Sequence, residues 1–224
     1  MPATQREKSV SELLGVPPPP RNGKGRLVAA AIELFYSRGF HAVGLDQIID
    51  AAGVTKTTFY KHFESKEELM VEAVRVRDDW EMQAWGRAVR KVAGDDPRGQ
   101  LLAFFDVMDV WFNDPSFRGC MFLNTAAEFP NANDPIHEAA SLHKRRTRDV
   151  FRDLAAKAGV DDAEGFADQF TAMVEGTLVL RQAHGRNDAA RVIRPAVEKL
   201  LDASLDASKA ASSPPKRGRK VRSV

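Results

Sequence analysis

From about residue 26 onward, apolar residues recur along this chain at helical spacing, not at strand spacing. Between Arg26 and Arg38, Leu27, Ala30, Ala31, Leu34 and Phe35 fall on one face, and Gly39 supplies a stop. The same pattern predicts short helices over 45–52 and 55–63, then a long one that Ser65 opens and that runs to Ala93. Ser65-Lys66-Glu67-Glu68 has the form of a capping box, in which the hydroxyl accepts an orphan N–H and Glu68 reaches back to the cap. Gly94-Asp95-Asp96-Pro97 then breaks the chain. Further helices are expected over 98–113, 118–128 and 135–159, from Asp161 or Asp162 to His184, and from Asn187 to Ala207. Alternating β patterns are nearly absent, so the expected fold is all-α with about nine helices. No internal repeat of helix-pair period is visible.

Ahead of the first helix stands Pro17-Pro18-Pro19-Pro20, a run that favours polyproline II. Residues 1–22 therefore read as a flexible arm, with a weak helical turn over Ser11 to Val16. The expected division is that arm, a helix-turn-helix domain over 23–69, a helical body over 70–207 and a disordered basic tail over 208–224.

Composition narrows the class. The 224 residues are 43% apolar with a formal charge of +2, which excludes collagen-like, mucin-like and wholly disordered chains. The longest apolar run, Leu27 to Ile32, falls far short of the roughly 20 residues a membrane helix needs, and residues 1–20 have no signal-peptide core. The single cysteine, Cys120, allows no internal disulfide, suits a cytoplasmic protein and reads as a small buried hydrophobe. Divided by zone, the small total becomes +3 over 21–66, −7 over 67–206 and +6 from Ala207 on. Two basic ends around an acidic body permit a polyanion partner.

The most informative segment is Leu45 to Phe63, LDQIIDAAGVTKTTFYKHF. Two turns of helix, a tight Gly53-Val54 turn and a second short helix make a helix-turn-helix candidate. Ile48, Ala52, Val54 and Phe59 can pack the pair against Leu34 and Phe35. The second helix then presents Thr55, Lys56, Thr57, Thr58, Tyr60, Lys61 and His62, whose hydroxyls, cations and free N–H groups suit phosphate oxygens and base edges.

The stretch from Gly44 to Leu69, GLDQIIDAAGVTKTTFYKHFESKEEL, preceded by AAAIELFYSRGF, resembles the DNA-binding domain of TetR/AcrR-type transcriptional regulators. Weaker likeness continues in RGCMFLNTAAE, Arg118 to Glu128, which is similar to part of the ligand-binding half of one branch. The resemblance implies an all-helical homodimer, usually a repressor, released from a palindromic operator by a small molecule. It implies that Thr55, Lys56 and Thr58 face the major groove of double-stranded DNA, that Tyr60, Lys61 and His62 lie at phosphates, and that Lys66 reaches the backbone. Tyr60 and His62 have a packing alternative, whereas Phe59 reads as core. Where the family has Thr and Ser before its second helix this chain has Val43 and Gly44, and Ile49 stands at a position usually held by Ala.

In the acidic body, Phe104, Phe105, Met108, Trp111, Phe112, Phe117, Met121, Phe122, Phe166, Phe170 and Met173, with Asn124 as a polar anchor, are candidates to line a pocket for an apolar or aromatic effector. Glu128 and Glu175 are further candidate anchors. The last two helices carry long apolar faces, and Phe166, Val174, Leu178, Val197 and Leu201 are candidates for a self-association bundle. Scattered histidines and the lack of hydrolase, zinc or P-loop motifs argue against an enzyme and require no cofactor or metal. The basic tail reads first as a solvated segment; the alternative is a minor-groove hook, which Arg217-Gly218-Arg219 resembles although Lys220 replaces the usual Pro. The expected function is a ligand-responsive, dimeric DNA-binding regulator. The alternative is an all-α adaptor using its basic ends for protein or membrane contacts.

Overall fold

A computed structural model describes residues 9–18 and 20–212, and among these every regular element is helical. In chain order they are α1 (Val10–Leu14), α2 (Gly23–Arg38), α3 (Leu45–Ala52), α4 (Lys56–His62), α5 (Lys66–Ala93), α6 (Pro97–Phe112), α7 (Met121–Glu128), α8 (Pro135–Ala158), α9 (Ala163–His184) and α10 (Ala189–Ser212). Short polar side chains set most of the starts. Asn22, Thr55, Ser65, Asp96, Asp134 and Asp162 each accept an orphan N–H of the helix that follows. Pro97 and Pro135 sit at first-turn positions, where a missing N–H is harmless. At α5 only half of the expected capping box forms. Glu68 N–H donates to Ser65 Oγ at 3.2 Å, but the Glu68 carboxylate accepts from Glu64 N–H, one residue before the cap.

Helices α2, α3 and α4 form the N-terminal unit, and α5 joins it to a body in which α6, α8, α9 and α10 pack on one another. One apolar core runs through both, from Leu27 and Phe59 to Phe170 and Leu201. Ile49, bulkier than the Ala expected there, is 4% exposed and belongs to that core, as does Val43.

The arm expected to be flexible is docked over part of its length. Ser9 caps α1 reciprocally with Glu12, and Leu13 and Leu14 are buried against Ala84, Ala88 and Val89 of α5 and Ala103 and Val107 of α6. The Lys91 ammonium donates to the Glu12 carbonyl at 2.6 Å. Leucines that fall next to each other in a short helix gave no periodicity to recognise; they dock because α5 and α6 offer them a seat of alanines and valines. At the other end α10 runs five residues past the expected stop, and Ser208 Oγ accepts from Asp161 N–H at 2.9 Å. Arg217, Gly218 and Arg219 lie outside the described residues.

Phe166, Val174, Leu178, Val197 and Leu201, expected at a subunit interface, are buried within the single chain. The physical reason is that α9 and α10 also have to cover α6 and α8, and the largest apolar side chains go to that core first. The faces left outward carry mostly small residues at the same helical spacing: Ala172, Gly176, Val179 and Ala183 on α9, and Val192, Ala196 and Ala203 on α10, with Lys199 between the last two.

Candidate nucleic-acid interface and internal cavity

Gly53 makes the turn between α3 and α4 with φ of +60°, in the left-handed region that a Cβ disfavours. Val54 N–H donates to the Ile49 carbonyl at 3.2 Å, and Arg26 Nε of α2 donates to the Ala52 carbonyl at 3.2 Å. The turn is thereby fixed from both sides. Phe59 is fully buried and Phe63 nearly so, and these two rings anchor α4 from beneath. Opposite them Thr55, Lys56, Thr57, Tyr60 and Lys61 are exposed, Tyr60 by 62%. Tyr60 stands edge-on to Phe59 with 5.1 Å between ring centres, so its ring is braced while its hydroxyl faces solvent.

Thr58 and His62 are half-buried and lie beside the start of α2, where a Cβ on Gly23 would come within 2.9 Å of Thr58 Cγ2. Thr55 has a structural duty first: its Oγ1 caps α4 by accepting from Thr58 N–H at 3.1 Å. Lys56 pairs with Asp46 of α3 at 3.0 Å, which raises its pKa through that hydrogen bond. To reach a base edge it must let go of Asp46.

Lys66 departs from its expected place on the backbone-contacting face. Its Nζ donates to the Phe40 carbonyl at 3.0 Å, and burial lowers its pKa. It closes the loop after α2 instead of facing outward. Glu128, at the end of α7, meets the same loop. Phe40 N–H and His41 N–H both donate to its carboxylate, at 2.8 and 3.2 Å. Gly39, with φ of +83°, lets it approach, because a Cβ there would stand 3.0 Å from a carboxylate oxygen. His41 adds a contact to the Glu128 carbonyl at 3.3 Å and lies 4.9 Å from the Phe129 ring. Glu128 is thus a joint between body and N-terminal unit, not a pocket anchor.

Within the body a cavity of about 250 Å³ lies between α5, α6, α8 and α9. Of the residues expected to line a pocket, Phe104, Met108, Trp111 and Glu175 do so. Phe105, Phe112, Met121, Phe122 and Phe170 are fully packed core, because each lies on the side of its helix turned toward a neighbouring helix and away from the void. Met173 packs against that core from α9. Asn124 Oδ1 accepts from Gln182 Nε2 of α9 at 2.8 Å and does not line the cavity. Trp85 of α5 and Phe151 and Leu154 of α8, which were not anticipated, complete the walls, and Trp85 stacks on Phe104 at 4.7 Å.

On the cavity's polar side Glu175 is the anchor the sequence offered, whereas its partner Lys144 was missed. Lys144 donates to both oxygens of Glu175, at 2.9 and 3.2 Å, and to Cys120 Sγ at 3.4 Å. Burial opposes the charge on Lys144, but Cys120 and Glu175 outweigh it and raise its pKa. Burial also pushes the Cys120 thiol up, so with a neutral thiol beside it Glu175 is the partner that keeps Lys144 charged. His143 is held by Asp78 at 2.7 Å and stacked 3.5 Å from Phe122, and Glu81 is held by Arg77. A usable signal was present in α8, where His143, Thr147, Val150, Phe151 and Leu154 recur on one face. Lys144 itself was hidden in a run that reads as a solvated stripe.

Among the described residues no helix is long and apolar enough to cross a membrane, and no group of three or more His, Cys, Asp or Glu could hold a metal ion.

Residues 27–73 match the family described as bacterial regulatory proteins, tetR family, and residues 97–197 match the tetracyclin repressor-like C-terminal domain. The chain is 38% identical to the transcriptional activator FasR of Mycolicibacterium smegmatis over 88 residues, which cover 38% of this chain and 40% of that protein. It is 26% identical to the transcriptional regulator LmrA of Bacillus subtilis over 163 residues, 71% of this chain and 86% of that one. Among solved structures, the TetR-family transcriptional regulator SCO4454 of Streptomyces coelicolor superposes with a TM-score of 0.73 and 28% identity, over 82% of this chain and 96% of that chain.

Proposed function

The chain belongs to the tetR family of bacterial regulatory proteins, non-enzymatic regulators that bind DNA, and on that premise we propose a homodimeric repressor released by a small apolar or aromatic ligand. The observation that carries the reading is the division of α4: Phe59 is fully buried while Lys56, Thr57, Tyr60 and Lys61 are exposed on one surface. A hydroxyl-rich, cationic helix on a rigid anchor can lie in a major groove, with Thr55, Lys56 and Thr58 toward the bases and Tyr60, Lys61 and His62 toward phosphates.

Self-association gives this surface its specificity. Two copies joined through the outward faces of α9 and α10 would carry two α4 helices, and an inverted repeat with half-sites roughly 34 Å apart would hold both. The basic tail, with Arg217 and Arg219, would add minor-groove affinity. The acidic body, −7 over residues 67–206, favours approach by the basic end. Release follows from the joint. Ligand in the cavity displaces α5 and α8, and the Glu128 contact with Phe40 and His41 passes that shift to the N-terminal unit. A ligand acts only through its differential affinity for the two states.

Selection from a random DNA pool tests the proposal. Expected is an inverted repeat, bound by a dimer in sedimentation, with affinity that falls steeply with salt. Recovery of no preferred sequence, or binding by a monomer, would overturn it.

A further inference from the structure

We infer that the cavity selects a compact hydroxylated aromatic compound, a phenol of one or two rings, whose hydroxyl inserts at the Lys144–Glu175 pair. This rests on the reading of the cavity as the effector site and adds the chemistry of its occupant. A volume of about 250 Å³ is near the lower end of the roughly 300–1,000 Å³ typical of ligand pockets, so the ligand is small. Trp85, Phe104 and Phe151 offer flat and edge-on aromatic walls to a planar ring.

The polar end then discriminates. Lys144 Nζ spends two donors on Glu175 and turns a third to Cys120 Sγ at 3.4 Å, a weak acceptor. A hydroxyl oxygen is a better acceptor for that third donor, and its hydrogen can be given to Glu175, so one atom serves both partners without breaking the ion pair. A carboxylate drawn to Lys144 would also face Glu175, and an amine drawn to Glu175 would also face Lys144, so either charge meets its like at this closed pair. The other ionisable groups on the inner lining are engaged elsewhere, Glu81 with Arg77 and His143 with Asp78. Arg90 lines the cavity from an exposed position, where solvent screens its charge.

The test titrates the full chain with naphthalene, 2-naphthol, 2-naphthoate and 2-(aminomethyl)naphthalene, read by quenching of tryptophan emission and by calorimetry. Expected is about tenfold tighter binding of 2-naphthol than of the other three, the size of one hydrogen-bonded group at a charged pair. Glu175→Leu and Lys144→Met should each erase that preference while circular dichroism stays helical. Should either variant fail to fold, 2-methoxynaphthalene on the unaltered chain answers the same question, because it lacks the donated hydrogen and should bind like naphthalene. Equal binding of naphthol and naphthalene, tighter binding of the acid or the amine, or no binding by any of the four overturns the inference. Operator binding measured in the same samples separates the two readings: naphthol bound selectively without loss of DNA affinity would overturn ligand release and leave the phenol site standing.

Discussion

The α4 surface and the cavity place their chemistry in opposite ways. On α4 the candidate contact residues are nearly consecutive, mostly exposed, and supported by two buried rings, Phe59 and Phe63. The cavity draws its walls from α5, α6, α8 and α9, and its polar pair, Lys144 and Glu175, is 31 residues apart in the chain. A large partner such as DNA needs only one well-anchored ridge, because the partner supplies the other half of the surface. A small ligand has to be surrounded, and enclosure requires several helices to converge.

The anchor offers the strongest way to break this comparison. Phe59→Ala should cost about 3–5 kcal/mol of stability in urea unfolding and abolish DNA binding. At low temperature in the folded state, calorimetry should still register ligand in the cavity; its loss there would show that the two regions do not fold separably. Next in size is the docked arm. Leu13→Ala with Leu14→Ala should undock α1 at a cost on the order of 2 kcal/mol, capped by what so short a helix contributes. Trp80, which packs against that cluster, should shift its emission to the red while DNA affinity holds.

The joint between the regions comes third. Glu128→Gln leaves the Phe40 and His41 donors with a weaker acceptor, a loss of about 1 kcal/mol. Fluorescence anisotropy with and without ligand should show unchanged basal DNA affinity and a smaller ligand effect; a ligand effect of full size would remove Glu128 from the coupling. The subtlest contrast lies within α4. Lys61→Ala should weaken all DNA sequences alike and lower the salt slope by about one. Lys56→Ala should instead alter sequence preference. Identical effects of both on cognate and scrambled DNA would undo the division between base and phosphate contacts.

How much was legible in the sequence follows the same line. The helix starts at Thr55, Ser65, Asp134 and Asp162 are local events, set by side chains within three residues of the N–H they satisfy, and those bounds could be placed from them, whereas the caps Asn22 and Asp96 were not read as such. The exposed side of α4 could be read for the same reason, since seven residues on one anchored helix settle their own orientation. Lys66 was misplaced because its partner, the Phe40 carbonyl, lies 26 residues earlier, at the end of another helix. Phe104 and Trp111 do reach the cavity, but most of the body's apolar rings were misassigned, because a helical face predicts burial without saying whether the neighbour is a packed helix, a void or a second copy.

Sequence alone therefore determined the all-α class, the order of the helices, the helix-turn-helix and the segregation of basic ends from an acidic body. Those properties depend on spacing, capping and charge, which are local or additive along the chain. Only the tertiary structure decided that Leu13 and Leu14 fasten the arm, that Glu128 serves a joint, and that Phe166 and Val197 are core while Val179 and Val192 stay outside. It also decided that Lys144 and Glu175 face one cavity. Each of these is a meeting of distant segments, and apolar attraction, being non-directional, fixes that they are buried but leaves the partner to the packing of the whole chain.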